Sequence, residues 1–394
     1  MPKALARMIG GEVMLVAGEA SGDLHGAGLV RAMQRLAPNL RFCGMGGQEL
    51  RLAGVKILYD AAGLAVVGVT EVLSHLGDIL RARRTLIERM RRQPPTLLIL
   101  IDYPDFNLWL ARTAKKLGIP IFYYISPQLW AWRSGRVRTI GRLVDRMAVI
   151  LPFEQEFYAR HGLTVDFVGH PLVDTVRPSL DREQFMAAQA IAPDNGLVGL
   201  LPGSRRKEIA ALLPDFLAGA HLLARESTRP LTFLIPLAST IDRSLLDQHG
   251  LAQWQGRLDV RVISDDRYSM MAACDAVVAA SGTVMLELAL LNVPAAAAYR
   301  TSRNTYLLGR LLIRHITHFT LVNLIGGRTI IPELLQDEIT PERIAGELRR
   351  LLDDQEARQE VLAGLAEVRQ RLGGPGASER AATIALAMLG EQQA

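Results

Sequence analysis

At 394 residues with 49% hydrophobic content, the chain can bury more than one large core, and at ~150 residues per core it should form two domains, which excludes a disordered chain. Its two cysteines, Cys43 and Cys274, stand in separate halves and outside any C-x-x-C spacing, which speaks against a disulfide framework or a cysteine zinc site and fits a reducing cytoplasm. The formal charge of +5 is a mild basic excess that suits nucleic acid, an anionic nucleotide substrate or an anionic membrane surface without choosing among them.

The N-terminal MPKALARMIGGEVMLVAGEASGD has too short an apolar run for a signal peptide, and no stretch reaches the ~18 uninterrupted apolar residues of a membrane span. The chain is therefore expected not to cross a bilayer. Short runs that are apolar on both faces then alternate with helical patterns: Val13–Val16, Arg41–Cys43, Leu97–Ile101, Ile119–Tyr124 and Met147–Leu151. A second series follows at Leu197–Leu201, Leu231–Ile235, Val260–Ile263, Ala276–Ala279 and Val293–Ala298. Such runs belong to buried parallel strands, so the fold class is α/β with two doubly wound, Rossmann-like domains. The break falls near Gly169–Pro178, giving a first domain over 1–172 and a second over 173–376. The helix stop Gly373-Gly374-Pro375-Gly376 precedes one more amphipathic segment, 377–394, expected to join the first domain.

Six segments have the composition of ligand-binding turns. The first strand runs into Gly18-Glu19-Ala20-Ser21-Gly22-Asp23 and a helix from about Leu24. This turn either receives an oxyanion at the helix N-terminus, with Ser21, Gly22 and Asp23 at the ligand, or is a tight turn in which Ser21 or Asp23 caps the helix. Cys43–Gly47 reads mainly as a turn. In Ile101-Asp102-Tyr103-Pro104-Asp105-Phe106-Asn107, Asp105 reads as the cap of a helix starting at Phe106. Asp102 stands at the mouth of an apolar strand, where burial would raise its pKa toward that of a general base. Trp130 and Trp132 in SPQLWAWR either stack on a sugar or form a packed aromatic corner. His170 reads as a hinge hydrogen-bonder rather than a catalyst.

In the second half, Leu201-Pro202-Gly203-Ser204-Arg205-Arg206-Lys207-Glu208 puts cations in the first turn of a helix. There they oppose the helix dipole and call for an anion, for which a diphosphate is the natural candidate, held by Ser204 and Arg205. Ser281, Gly282 and Thr283 form another small-residue turn, with Glu287 placed to take both ribose hydroxyls of a nucleotide. No Asp-x-Asp or His-x-x-x-His pattern suggests a metal, and Asp265-Asp266 reads as a helix cap. The stretch 71–92 mixes Val72, Leu73, Leu76, Ile79 and Leu80 with six arginines. It suits either a helix lying in a membrane interface or a core-facing helix with a solvated basic face. It lacks interleaved aromatics or a reading motif for nucleic acid, so no nucleic-acid partner is expected.

Taken together, AGEASGDLHGAGL, IDYPDFN, SPQLWAWR, LPFEQEFY, FVGHPL, LPGSRRKEI, ASGTVMLELAL, LVNLIGGR and PELLQ resemble, end to end and in fixed order, the lipid-A-disaccharide synthase family. The resemblance implies the GT-B arrangement, with two Rossmann-like domains facing across a cleft, the first binding acceptor and the second a UDP-sugar. It implies an inverting transfer of 2,3-diacylglucosamine from UDP-2,3-diacylglucosamine to diacylglucosamine 1-phosphate, giving the β(1→6) disaccharide 1-phosphate and UDP, with no metal or organic cofactor. It also implies peripheral contact with the cytoplasmic face of the inner membrane, through 71–92. Residue by residue, it matches Asp102 to the family's essential aspartate, Arg205 to the arginine of its PGSR loop and Asn323 to the asparagine before its glycine-rich turn; for Asn323 the spacing argument is silent. His25, Tyr103 and Gln128 depart from the family pattern without removing a group the chemistry needs. Rival readings are another GT-B transferase or epimerase, or a non-catalytic nucleotide-sugar or anionic-lipid binding protein. The sequence leaves open whether the chain is a monomer or a homodimer.

Overall fold

Every strand pairing among the described residues is parallel, in two separate sheets. The computed structural model describes residues 9–61, 76–132, 134–238, 241–302, 306 and 317–393. The chain divides into two compact units, Met1–Pro171 with Gly373–Ala394, and Leu172–Leu372.

In the first unit the strands are β1 (Gly11–Ala17), β2 (Leu40–Gly46), β3 (Lys56–Asp60), β4 (Leu97–Ile101), β5 (Ile121–Tyr124), β6 (Arg146–Val149) and β7 (Asp166–Phe167), in spatial order β3-β2-β1-β4-β5-β6-β7. The second unit holds β8 (Gly196–Leu201), β9 (Leu231–Pro236), β10 (Val260–Ile263), β11 (Ala276–Ala280), β12 (Ala295–Tyr299) and β13 (Glu333–Leu335), in order β10-β9-β8-β11-β12-β13. Central strands such as β4 (LLILI) and β8 (GLVGLL) are buried at every residue because helices cover both faces of each sheet. Both sheets reverse their winding once, between β1 and β4 and between β8 and β11. The loops after those strands diverge there, leaving a crevice at the carboxyl end of the sheet.

The helices that frame the crevices are α1 (Ala20–Leu36), α2 (Gln48–Leu52), α3 (Leu76–Arg92), α4 (Pro104–Lys116) and α5 (Pro152–Ala159) in the first unit. In the second they are α6 (Arg206–Glu226), α7 (Arg267–Ala273), α8 (Val284–Leu290) and α9 (Leu321–Gly326). The last helix, α10 (Ala377–Gln393), packs with the first unit and lies on α1. Arg35 and Glu379 pair at 2.9 Å there, and the Arg380 guanidinium donates to the carbonyls of Val168, Gly374 and Pro375.

Helix α3 divides along its length. Ala82, Leu86 and Met90 are buried in the core and Ile79 packs against it, while Leu76 and Leu80 are 45% and 44% exposed. The Arg83 guanidinium stacks 3.6 Å from the centre of the Trp109 ring on α4. Ile79 is partly buried against the core; Val72 and Leu73 lie outside the described residues.

Three strands escape a reading by apolar runs: β3, β7 and β13. Each is an edge strand, short or half-exposed, and so lacks the two-sided apolar signature. Helix α1 also begins four residues before the expected Leu24. The turn expected at Cys43–Gly47 is instead the end of β2, which runs to Gly46. Gly44 hides the strand: its φ is +155°, and a Cβ there would strike the Leu15 backbone of β1. Gly44→Val is accordingly expected to destabilise the first unit by ~3 kcal/mol, read as a lowered urea midpoint.

Candidate active site

In the first unit, β1 delivers Gly18–Asp23 and β4 delivers Asp102–Asn107 to the two sides of the crevice. Asp102 and Tyr103 both adopt left-handed backbone conformations, φ +42° and +44°, so the chain turns sharply where β4 ends. The Asp102 peptide is held on three sides. Its N–H donates to the Ile125 carbonyl at 3.2 Å, and its own carbonyl accepts from Tyr123 Oη at 2.5 Å and Asn107 Nδ2 at 2.7 Å. The turn lays the Tyr103 ring against Gly18, where any Cβ would collide with it. Burial, reinforced by the neighbouring Glu19 charge, pushes the Asp102 carboxyl up to about 6.

The loop after β1 departs from expectation. Helix α1 starts at Ala20, so Ser21 and Gly22 lie in its first turn, Ser21 exposed and Gly22 packed near Ala17 and Ile101. Asp23 is buried and caps the next helix rather than its own: its carboxylate accepts from the N–H groups of Gly47 (2.6 Å), Glu49 (2.8 Å) and Leu50 (3.3 Å) at the head of α2. With both oxygens engaged, Asp23 shapes the crevice wall, while Ser21 remains open to a ligand. Asp105 does not cap α4, which begins at Pro104; it pairs with Arg136 at 2.5 Å. His170 lies buried against His25, ring centres 6.2 Å apart, and burial lowers the two imidazoles to about 3 and about 4. Both are therefore neutral near pH 7.

Trp130 takes the corner arrangement, edge-on to Phe153 with ring centres 5.0 Å apart, and Trp132 closes the short helix Leu129–Trp132. A cavity of about 370 Å³ lined by Lys115, Ile119, Asp145, Arg146 and Met388 lies at the amino ends of β5 and β6, the edge of the sheet opposite the crevice.

In the second unit, β8 leads into Gly203-Ser204-Arg205 and β11 into Ser281-Gly282-Thr283, again on either side of the reversal in strand order. Arg205, 60% exposed, stands at the N-cap of α6 and pairs with Glu208 Oε1 at 3.1 Å; Glu208 Oε2 accepts the Ser204 N–H at 3.2 Å. Three cations, Arg205, Arg206 and Lys207, thus face a single first-turn carboxylate, which leaves the head of α6 positive. Gly282 and Thr283 are exposed, and the space beside Gly282 is open. Asp266 caps α7 as read from the sequence, accepting from Ser269 N at 3.1 Å.

Two assignments change here. Glu287 is buried, and its Oε1 accepts from Arg267 at 2.9 Å and from Tyr268 Oη at 3.2 Å. A ribose would therefore meet at most Oε2, not the bidentate carboxylate expected. Burial raises the Glu287 carboxyl, against the pull of Arg267. Asn323 is 0% exposed, and its amide is spent within the fold. Its Nδ2 donates to the Ile331 carbonyl and to Glu333 Oε1, both at 2.9 Å; its Oδ1 accepts from Ile330 N at 2.8 Å and Ile331 N at 3.0 Å. It has no surface with which to touch a substrate and acts by pinning the 327–331 turn to α9.

Three carboxylates that sequence reasoning passed over now join the picture. Glu19 sits beside Asp102 and raises it. Glu154 is buried at the head of α5, where it accepts from the N–H groups of Ile150 and Leu151. Glu333 gathers Thr320 and Asn323 at the head of α9. Their signal was present only as glutamates inside AGEASGD, LPFEQEFY and PELLQ: Glu19 meets Asp102 only through the fold, while the partners of Glu154 are nearby in the chain, at the head of its own helix. Among the described residues, no group of three or more His, Cys, Asp or Glu side chains could hold a metal ion.

The family model for lipid-A-disaccharide synthetase matches residues 13–388. The lipid-A-disaccharide synthase of Geobacter sulfurreducens is 52% identical over 380 residues, covering 96% of this chain and 98% of the relative. That of Geobacter metallireducens is 50% identical over 381 residues, covering 97% and 98%. Among solved structures, the glycotransferase of kitacinnamycin superposes with a TM-score of 0.66 at 14% identity, covering 96% of this chain and 99% of that one. The Neisseria meningitidis UDP-GlcNAc 2-epimerase bound to UDP-GlcNAc superposes with a TM-score of 0.63 at 13% identity, covering 94% and 98%. At such identities the structural likeness establishes the fold alone, and it is shared by transferases and epimerases.

Because Asn323 satisfies four buried hydrogen-bonding positions, Asn323→Ala is expected to destabilise the second unit by ~3 kcal/mol. Calorimetry should show the loss as a lower transition temperature, and a Tm equal to wild type would remove the pinning role.

Proposed function

The chain belongs to the lipid-A-disaccharide synthase family, whose members are GT-B glycosyltransferases, and from that premise we propose that it joins UDP-2,3-diacylglucosamine to diacylglucosamine 1-phosphate through Asp102. The observation that carries the reading is Asp102 itself. It is a carboxylate at the crevice of the first unit, raised toward neutrality by burial and by Glu19, and its backbone is held from three sides. A general base works best when its pKa lies near the operating pH and its geometry is fixed in advance.

In the proposed reaction the acceptor's 6-hydroxyl gives its proton to Asp102 as its oxygen attacks the anomeric carbon of the donor. The bond from that carbon to the diphosphate breaks with inversion, and UDP departs with the electron pair. Arg205 and the positive head of α6 meet the charge that develops on the diphosphate. Ser281, Gly282 and Thr283, with Glu287 Oε2, offer the contact surface for the nucleoside. The acceptor is assigned to the first unit, at the crevice beside Ser21 and Asp102.

We further propose a peripheral membrane contact through the exposed start of α3. Leu76 and Leu80 stand out of the core beside Arg81 and Arg84, and apolar side chains flanked by cations suit the headgroup region of an anionic bilayer. No helix among the described residues is long and apolar enough to cross a membrane.

Two measurements test these assignments. Asp102→Asn should lower disaccharide formation by ~100-fold or more, followed by mass spectrometry of the two diacylated substrates and their product. Because the folded carboxyl is raised to about 6 from 3.8, its ionised form weighs against folding above that pH, so the variant should melt no lower than wild type at pH 8. For the same reason the wild-type rate should be full above about pH 6 and fall as pH drops through it, and a flat profile between pH 5 and 7 would remove Asp102 as base. Separately, Leu76→Glu with Leu80→Glu should abolish flotation with phosphatidylglycerol vesicles; co-flotation equal to wild type would place the membrane contact elsewhere.

A further inference from the structure

The first turn of α7 carries Arg267 and Tyr268 directly after Asp266, whose backbone is left-handed at φ +49° and whose carboxylate caps the helix. Both side chains meet Glu287 of α8. Arg267 Nη2 donates to Tyr268 Oη and to Glu287 Oε1, each at 2.9 Å, and Tyr268 Oη donates to the same Oε1 at 3.2 Å. The guanidinium also lies 4.8 Å from the centre of the Tyr268 ring. Three side chains from two helices thus close a small ring of hydrogen bonds, and both bonds to the carboxylate fall on one oxygen.

Each oxygen of a carboxylate has two lone-pair sites, so two donors fill Oε1. No donor among the described residues reaches Oε2, and that oxygen is not sealed in the core without a partner. An ion pair that served only to join α7 to α8 would gain from a paired fork on both oxygens. Here one nitrogen of a half-exposed arginine meets one oxygen of a buried carboxylate. The consequence is directional. A glutamate that could sample several side-chain torsions becomes a single acceptor aimed one way before any ligand arrives, and such preorganisation favours binding.

We propose that Arg267 and Tyr268 are positioning residues that lock Oε1 of Glu287, so that Oε2 alone reads the ribose of the donor and Glu287 discriminates at one ribose hydroxyl instead of two. This rests on the reading of the second unit as the site of the UDP-sugar. Arg267 and Tyr268 act through Glu287 and are assigned no contact with the nucleotide. Their effect falls on how well UDP is told from an analogue lacking one hydroxyl, and not on the chemistry at Asp102.

Calorimetric titration of the full chain with UDP, 2′-deoxy-UDP and 3′-deoxy-UDP tests the idea. In the wild type, loss of a bond to a charged acceptor should weaken one deoxy analogue by about 10-fold or more relative to UDP. Glu287→Gln should erase that penalty and leave the other analogue's ratio to UDP within about 2-fold of wild type. Arg267→Met with Tyr268→Phe, which keeps Glu287 but unlocks it, should shrink the same penalty by about 5-fold. Should the double variant fail to fold, Tyr268→Phe alone, which keeps the ring and removes the donor, should shrink it by about 2-fold or more. The ratio is the readout, because a structural loss or a missing positive charge weakens UDP and its analogues alike. An undiminished penalty in the folded variants, or a Glu287→Gln that erases the penalties at both hydroxyls, would overturn the proposal while leaving Glu287 as a ribose contact. A wild type that binds UDP with no penalty for either analogue would remove Glu287 from the ribose and the positioning role with it. No binding of UDP at all would overturn the reading of the second unit itself.

Discussion

Parallel strand pairing is the constraint on which the rest of this structure depends. A parallel ladder brings every strand's carboxyl end to the same edge of the sheet, and its crossover helices must cover both faces. Apolar runs such as LLILI and GLVGLL have no other stable setting than the interior of such a sheet. Once each sheet winds first one way and then the other, the loops after β1 and β4, and after β8 and β11, are driven apart and a crevice opens between them. The segments proposed to do chemistry are those four loops.

Within the first unit the crevice is made specific by backbone geometry more than by side-chain charge. Asp102, Tyr103 and Ile125 all hold left-handed conformations, and Tyr123 and Asn107 secure the Asp102 carbonyl from beneath. Strain of this kind survives only where the surrounding fold is rigid. Here the rigidity comes from fully buried strands on either side and from hydroxyl and amide groups that have no solvent to turn to. The same burial that fixes the carboxylate also raises its proton affinity, so one feature provides both the position and the basicity asked of a general base.

The second unit works by contrast through exposed charge. Arg205 stands open at the head of α6, where the helix dipole adds to it. Behind that surface, Asn323 and Glu333 are consumed in holding α9 and the turn after it. The division is physical: a group that must meet a charged ligand stays solvated until the ligand arrives, whereas one that shapes a loop is buried and saturated with hydrogen bonds. Asn323 and Arg205 stand in equally recognisable motifs and fall on opposite sides of that line.

The central strands, the α/β class, the reversal of the sheets and the loops worth examining were all legible in the amino-acid sequence, because two-sided apolar runs and small-residue turns are local properties that burial enforces wherever they occur. Asp102 was legible for the same reason, as a carboxylate directly after LLILI with no local task of its own. Tertiary structure alone decided which polar groups were left for a ligand. Asp23 was claimed by the head of α2, half of Glu287 by Arg267 and all of Asn323 by a turn beyond it; the Ser126 hydroxyl met Tyr158 only when α5 packed against the turn after β5. Hydrogen-bond partners separated by tens of residues are set by strand register and helix packing, and no spacing rule along the chain can supply them.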